Sequence, residues 1–320
     1  MTTTAQPPAL PGLSWSGLED LAVSPMRMWH LHINPDRPVD KPTPAQVLGS
    51  ALHCAVLEPA RFAAEYARKI AAEDFEECLV TMEDLRNWLT SRVVKPTGGR
   101  KADLIAQVQL EAEIRNEKPH ILDALTAEQE ADSKVILPPE VWKNVQGAAE
   151  ALRREPRLAE ILADPDGRSE VEMVAKDPNT GVMLKARMDW LTPAFTLDLK
   201  TFTQRRGKSI DQTIADAIWH DGYHRQAWFY RHVRSLATGC TLPHVIAFVE
   251  SDEPHEVRLR MLKPTNHGEV SILWEQARCE CQELIRLYAG CLARFGDKPW
   301  KGEQAICPLL DEDVKGLAYA

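Results

Sequence analysis

The sequence predicts an α/β protein: a central mixed β-sheet flanked by helices, with one helical insertion. Three observations lead there. Runs of period-two alternation occur at 169–176, 182–190, 195–201, 245–250 and 256–262, the spacing of strands with unlike faces. Runs with helical spacing precede, separate and follow them at 45–57, 138–162, 209–219, 223–237 and 265–294. A strongly charged helical stretch interrupts this order at 73–118.

The 320 residues are 44% apolar and 27% charged, the balance of a globular chain long enough for a large core. No apolar run approaches the length of a membrane span. Residues 1–12 begin Thr/Ala/Pro-rich and read as a flexible lead without a signal-peptide core; residues 13–320 read as one domain carrying the insertion. Seven cysteines, irregularly spaced and without a CxxC pair, point to reduced thiols and cytoplasmic residence. The net charge of −9 argues against indiscriminate polyanion binding, yet Lys200 to Arg234 holds seven Lys/Arg against three Asp. That local excess suits a nucleic-acid ligand.

Along the chain, Ser16-Gly-Leu-Glu19 predicts a capped helix running to Trp29, kinked at Pro25. Prolines 35, 38, 42 and 44 make an extended connection. The 45–57 helix is apolar on most sides and therefore buried, and Gly49, Ser50 and Ala51 suggest a close backbone approach. His53 lies within it; alone, such a histidine reads as a hydrogen-bonded core residue. Residues 81–108 predict helix, Pro/Gly turn, helix. Cys279 and Cys281, two apart on the last helix, point to different faces. In the tail, Trp300 and Leu309-Leu310 read as anchors.

The segment 181–201 is the centre of the chain. Leu184, Ala186, Met188 and Trp190 share one strand face, with Lys185, Arg187 and Asp189 on the other; after a Thr-Pro turn, Phe195, Leu197 and Leu199 alternate with Asp198 and Lys200. Asp189, Asp198 and Lys200 thus converge on one sheet edge. Alternation alone leaves two readings, a solvated face or a cation site. Asp is a poor strand former, so one in each strand is unusual. The neighbouring strand 169–176 adds Glu170 and Glu172, which read as a solvated face or as further cation ligands. Downstream, Tyr223, Gln226 and Tyr230 lie on one helical face.

These motifs in order, Gly49-Ser-Ala-Leu-His53, Lys185-Ala-Arg-Met-Asp189, Asp198-Leu-Lys-Thr201 and Gly222-Tyr-His-Arg-Gln-Ala-Trp-Phe-Tyr230, resemble the PD-(D/E)xK nuclease superfamily. Within it the chain is similar to the RecB-like enzymes, and most to the phage-type RecE (exonuclease VIII) recombination exonucleases. Leu13-Ser-Trp-Ser16 and Leu57-Glu-Pro59 fit the same group. Residues 81–108 resemble a SAP-type DNA-binding module, with Leu85, Leu89, Gly99, Lys101, Leu104 and Ile105 on its positions.

The resemblance implies a restriction-endonuclease-like core. It implies that His53, Asp189, Asp198 and the backbone carbonyl of Leu199 hold Mg²⁺, or Mn²⁺ in its place, and that Lys200 activates the attacking water. Gln226, Tyr230, Thr201, Arg205, Arg206 and Lys101 would contact DNA. It further implies resection of linear double-stranded DNA from its ends, 5′ to 3′, with the 3′ strand passed to a RecT-type single-strand annealing protein. A homo-oligomeric ring and a bacterial or phage origin belong to the same implication. The downstream cysteines lack iron–sulfur spacing, so no such cluster is expected. A non-catalytic DNA-end scaffold, or a single-strand nuclease or endonuclease of the same superfamily, are the rivals.

Overall fold

The computed structural model describes residues 12–37, 42–266 and 269–301. Its centre is a five-stranded sheet of β1 (Arg168–Lys176), β2 (Met183–Leu191), β3 (Thr196–Phe202), β4 (His244–Glu250) and β5 (Val257–Leu262), adjacent in that order. Neighbours are antiparallel except β3 and β4, which run parallel. A parallel pair needs a long crossover, and α6 (Ile210–His220) with α7 (Tyr223–Thr238) supplies it.

Alternation sorts the core onto two faces. Leu184, Ala186 and Met188 of β2 pack with α1 (Trp15–Val23), α7 and α8 (Ile272–Phe295). Leu197, Leu199, Val245, Ala247 and Val249 pack with α2 (Pro44–Leu57) and α5 (Pro139–Arg154) on the other. Trp190 departs from the predicted alternation. It joins the second face, packing near Leu197, and its indole N–H donates to the Ile161 carbonyl at 3.2 Å. The strand therefore changes face between Met188 and Trp190, at Asp189.

Several boundaries differ from the sequence expectations, each for a local reason. The first helix is capped by Ser14, whose hydroxyl accepts from the Gly17 N–H at 3.2 Å, and not by Ser16. It stops at Val23; Ser24 caps a new turn at Pro25–Met28, followed by a π-turn, Trp29–Ile33. Pro156 ends the 138–162 helix early, splitting it into α5 and Pro156–Leu162. The last helix starts only at Ile272, because 265–270 holds a two-residue hairpin pairing. Gly49 meets nothing within 4 Å of a built Cβ, so the expected close approach there is absent. Ala51 supplies the buried contact instead.

The insertion folds around its own small core. Within it α3 (Met82–Ser91) and α4 (Lys101–Arg115) bury Leu85, Leu89, Leu104 and Val108, with Ile121 beyond them. The stretch 73–118 is not wholly helical, since Cys78–Leu79 is a short strand. Tyr66–Arg68 pairs in parallel with Val135–Leu137, so the excursion from the body runs over 69–134, wider than the expected 73–118. Trp300 is fully buried, edge-on to Tyr288 at 5.3 Å. Leu309, Leu310 and Cys307 lie outside the described residues, as do residues 1–11. No helix among the described residues is long and apolar enough to cross a membrane.

Candidate metal centre

The site lies where the sheet forks. β2 and β3 pair only at Trp190↔Leu197 and Leu191↔Thr196, next to the turn. Thr192 closes that turn: its N–H donates to the Phe195 carbonyl, and its hydroxyl accepts from the Ala194 and Phe195 N–H groups. Beyond Leu197, β3 follows β4 while β2 follows β1. The next strand–strand bond is replaced by a side chain: Asp189 Oδ2 accepts from the Leu199 N–H at 2.7 Å. A buried carboxylate thus satisfies a backbone donor that the fork would otherwise strand.

His53 enters the fork from α2. Pro44 at the first helical position and a Thr43/Gln46 capping box fix the helix start, and Leu52, Ala55 and Val56 bury it against the sheet. The His53 Nε2–H donates to the Leu199 carbonyl at 2.9 Å, and Nδ1 lies 3.5 Å from Asp189 Oδ2. With Nε2 as donor, Nδ1 keeps its lone pair toward the carboxylates. Burial lowers the His53 pKa, with Asp198 opposing, which favours the neutral ring. A ligating histidine with its second nitrogen tied to a backbone carbonyl is the usual arrangement at metal sites.

Glu170 completes the cluster from β1. The register, Ser169↔Trp190 and Val171↔Met188, sets Glu170 opposite Asp189, yet its backbone has φ +52°. That left-handed conformation is costly for a side-chain residue within a strand, and such strain concentrates at functional sites. His53, Glu170 and Asp189 offer ligand atoms within 4.8 Å of one another. Arg187 Nε holds the Glu170 carboxylate at 2.9 Å. Glu172 points elsewhere, to Lys185 at 2.7 Å.

Asp198 and Lys200 form a buried pair beside this cluster, with Nζ 2.6 Å from Oδ2. For Asp198, burial pushes the pKa up, but Lys200 and then His244 overcome it and hold the carboxyl below its ordinary value. For Lys200, burial works against the charge, and Asp198 and Asp189 more than compensate, so its pKa is raised. Asp189 has no such cation bound to it. Burial first, then the Asp198 charge, push its pKa well above the carboxylate range. Two carboxylates this close, one already served by lysine, leave a charge deficit that a divalent cation fits. Neutral imidazole plus hard carboxylate oxygens is a donor set suited to Mg²⁺ or Mn²⁺.

α7 walls the cleft. Gly222, at φ +74°, turns the chain into it; a left-handed position of this kind favours glycine. Tyr223 lies under the Lys200 ammonium at 5.2 Å. Gln226 donates to the Tyr230 hydroxyl at 3.1 Å, and burial raises the Tyr230 pKa. Thr201 continues the strand, half-buried. Other residues assigned to DNA have different neighbours here. Arg205 is exposed, 3.6 Å from Asp216, and Arg206 is exposed. Lys101 pairs with Asp123 at 2.6 Å within the insertion. His244, which the sequence reading passed over, is buried with Nδ1 2.8 Å from Thr196 Oγ1, and burial lowers its pKa to about 4.

The family model for the PDDEXK-like domain of unknown function (DUF3799) matches residues 14–294. The chain belongs to that family. The mixed sheet with flanking helices is the fold expected of it. Comparison with curated proteins finds no match. Among solved structures, a crystal structure from Eubacterium rectale, named "Putative exonuclease", is 15% identical with a TM-score of 0.50; the match covers 95% of this chain and 87% of that one. At that identity the likeness speaks for the fold alone. The structure of SSO0001, at 14% identity and a TM-score of 0.26 over 63% of this chain and 84% of that one, is more remote.

Proposed function

We propose that this PDDEXK-like protein is a metal-dependent DNA exonuclease that hydrolyses linear double-stranded DNA from its ends. The observation that carries the reading is the fork, where His53, Glu170 and Asp189 face the Asp198–Lys200 pair. His53, Asp189 and Glu170 would hold the cation, with Asp198 and the Leu199 carbonyl bordering it. Mg²⁺, or Mn²⁺ in its place, supplies Lewis-acid charge at the scissile phosphate and lowers the pKa of water there. Lys200, kept protonated by Asp198, orients the attacking water and offsets charge developing on the phosphate. Tyr223, Gln226 and Tyr230 position the strand. The Arg/Lys-rich segment from Lys200 to Arg234 receives backbone phosphates, and Lys101 in the SAP-like insertion adds a grip outside the cleft.

The resemblance to the RecE group supports 5′ to 3′ polarity, a 3′ single-stranded product, delivery to a RecT-type annealing protein, and a ring around the duplex. The test compares linear with covalently closed circular duplex in Mg²⁺, with EDTA and Asp198→Asn controls. Metal-dependent loss of the linear form alone is expected. Cutting of the circle would make the enzyme an endonuclease, and binding without cleavage of either form would overturn the reading.

A further inference from the structure

Arg187 is exposed, yet it stands beside the metal centre. It precedes Asp189 by two residues on β2, about 7 Å along the strand. Alternation puts it on the face opposite Leu184, Ala186 and Met188, the face on which α2 packs and brings in His53. Straight across the strand pair, Glu172 faces Arg187 and Val174 faces Lys185. Neither basic side chain keeps to its own level. Lys185 takes Glu172 at 2.7 Å, and Arg187 reaches diagonally to Glu170 at 2.9 Å. Long side chains span that diagonal on one sheet face, and here it runs toward the cluster.

Glu170 is thus drawn two ways. It offers a ligand atom within 4.8 Å of those of His53 and Asp189, and it neutralises the Arg187 guanidinium. Its left-handed backbone, φ +52°, is kept in spite of its cost, as where a side chain has to be held in place. The Arg187 side chain is 66% exposed and that of Glu170 22%. An ion pair so open to water contributes little by itself, so its members change partners readily. A carboxylate covers one edge of a guanidinium. The other N–H donors of Arg187 have no protein partner among the described residues. Their planar fork is the shape that grips a phosphate.

The charges set an order. While Glu170 is spent on Arg187, the pair is neutral and offers a polyanion little. Once Glu170 shares its charge with a divalent cation, the guanidinium regains its attraction for phosphate. We infer that Arg187 is a metal-gated phosphate grip, masked by Glu170 in the metal-free protein and released onto the phosphate beside the scissile one when Glu170 turns to the cation. The inference rests on the nucleic-acid reading above and adds a contact upstream of the basic segment from Lys200 to Arg234. Linkage makes it reciprocal: through the same pair, the bound strand favours the cation.

The test reads DNA binding with and without metal. A short fluorescein-labelled linear duplex is titrated by anisotropy at several salt concentrations, in EDTA and in Ca²⁺, another oxygen-seeking cation. In EDTA, Arg187→Gln should bind as the parent does. In Ca²⁺ it should lose about tenfold, the scale of one charged hydrogen bond, with a salt slope shallower by about 0.9. Arg187→Lys keeps the charge and should keep the slope. Glu170→Gln unmasks the guanidinium, so it should bind more tightly than the parent in EDTA, and adding Arg187→Gln should remove that gain. An Arg187→Gln loss of equal size in both media would overturn the gating, and no loss in either would overturn the grip. A Glu170→Gln gain that survives without Arg187 would overturn the pairing. A chain that shows the full pattern yet leaves linear duplex intact in Mg²⁺ would overturn the nuclease reading while sustaining the grip.

Discussion

Asp189 accepts the Leu199 N–H and also carries charge into the metal cluster, and two substitutions separate these roles. Asp189→Asn keeps an oxygen of the same shape for the Leu199 N–H and removes the charge. Asp189→Ala removes both, leaving a buried donor unsatisfied at about 1–3 kcal/mol. Without metal, the buried Asp189 carboxylate beside Asp198 is unfavourable, as its raised pKa shows. The Asn variant should therefore be at least as stable as the parent in EDTA, and the Ala variant about 1–3 kcal/mol below it. At about 2–4 °C per kcal/mol for chains of 150–250 residues, that gap reads as a few degrees to about ten.

The pH dependence has a defined sign. A carboxyl with a raised folded pKa contributes stability at low pH that is lost as pH rises through that pKa. The advantage of Asn over Asp should thus be absent in strong acid and grow as pH rises from the ordinary carboxylate range. Adding metal inverts the ranking. At a hundred times Kd, a ligand stabilises the parent by about 2.7 kcal/mol, and both variants should lose most of that gain. Urea unfolding followed by tryptophan fluorescence, in EDTA and in Mn²⁺, measures all three proteins. An Asn variant as weak as Ala in EDTA would refute the hydrogen-bond argument. An Asn variant stabilised by Mn²⁺ as fully as the parent would remove Asp189 from the ligand set.

Lys200→Ala should fold, bind DNA and lose cleavage by about a hundredfold or more, the scale of a positioned proton-handling group; unchanged turnover on linear duplex would dismiss its role. Glu170→Gln should raise the Mg²⁺ concentration for half-maximal activity several-fold with circular dichroism unchanged, whereas an unaltered metal titration would return Glu170 to a surface pair with Arg187. His244, ordinarily near 6.5 and lowered by burial to about 4, protonates first in the unfolded chain. It costs the native state about 3 kcal/mol as pH falls from 6.5 to 4 and nothing further below. His244→Asn should flatten that part of the acid-unfolding curve, and parallel curves would refute the assignment. Trp300→Ala empties a fully buried site beside Tyr288 and should cost about 3–5 kcal/mol by chemical denaturation; a loss below 1 kcal/mol would show that residues near 300 do not pack as described.

Residues whose meaning depends on period or punctuation were legible in the sequence. The five strands, the helix carrying His53 and the α7 face of Tyr223, Gln226 and Tyr230 follow from spacing alone. Asp198 and Lys200 pair along β3, and Asp189 comes beside them because β2 changes face there, which alternation alone does not give. What was not legible depends on where regular pairing stops. Trp190 changes face and Glu170 turns left-handed because β2 and β3 part after two residue pairs, and no local pattern announces a fork. Register could have found Glu170, since counting back across the 177–181 turn sets it opposite Asp189. The Leu199 carbonyl, expected beside the metal, accepts from His53.

The insertion enters and leaves the body along neighbouring parallel strands, Tyr66–Arg68 and Val135–Leu137, and Leu85, Leu89, Leu104 and Val108 pack into a small core of its own while Val93, Leu110 and Ile114 stay exposed. Its two ends are thus held side by side by the body, and the entropy of closing the excursion is met at the clamp. Such a segment is exchangeable: lengthened, shortened or replaced, it leaves the sheet fork undisturbed so long as the clamp remains. Under the nuclease proposal, changes in this cassette would alter contacts outside the cleft without moving the residues of the fork.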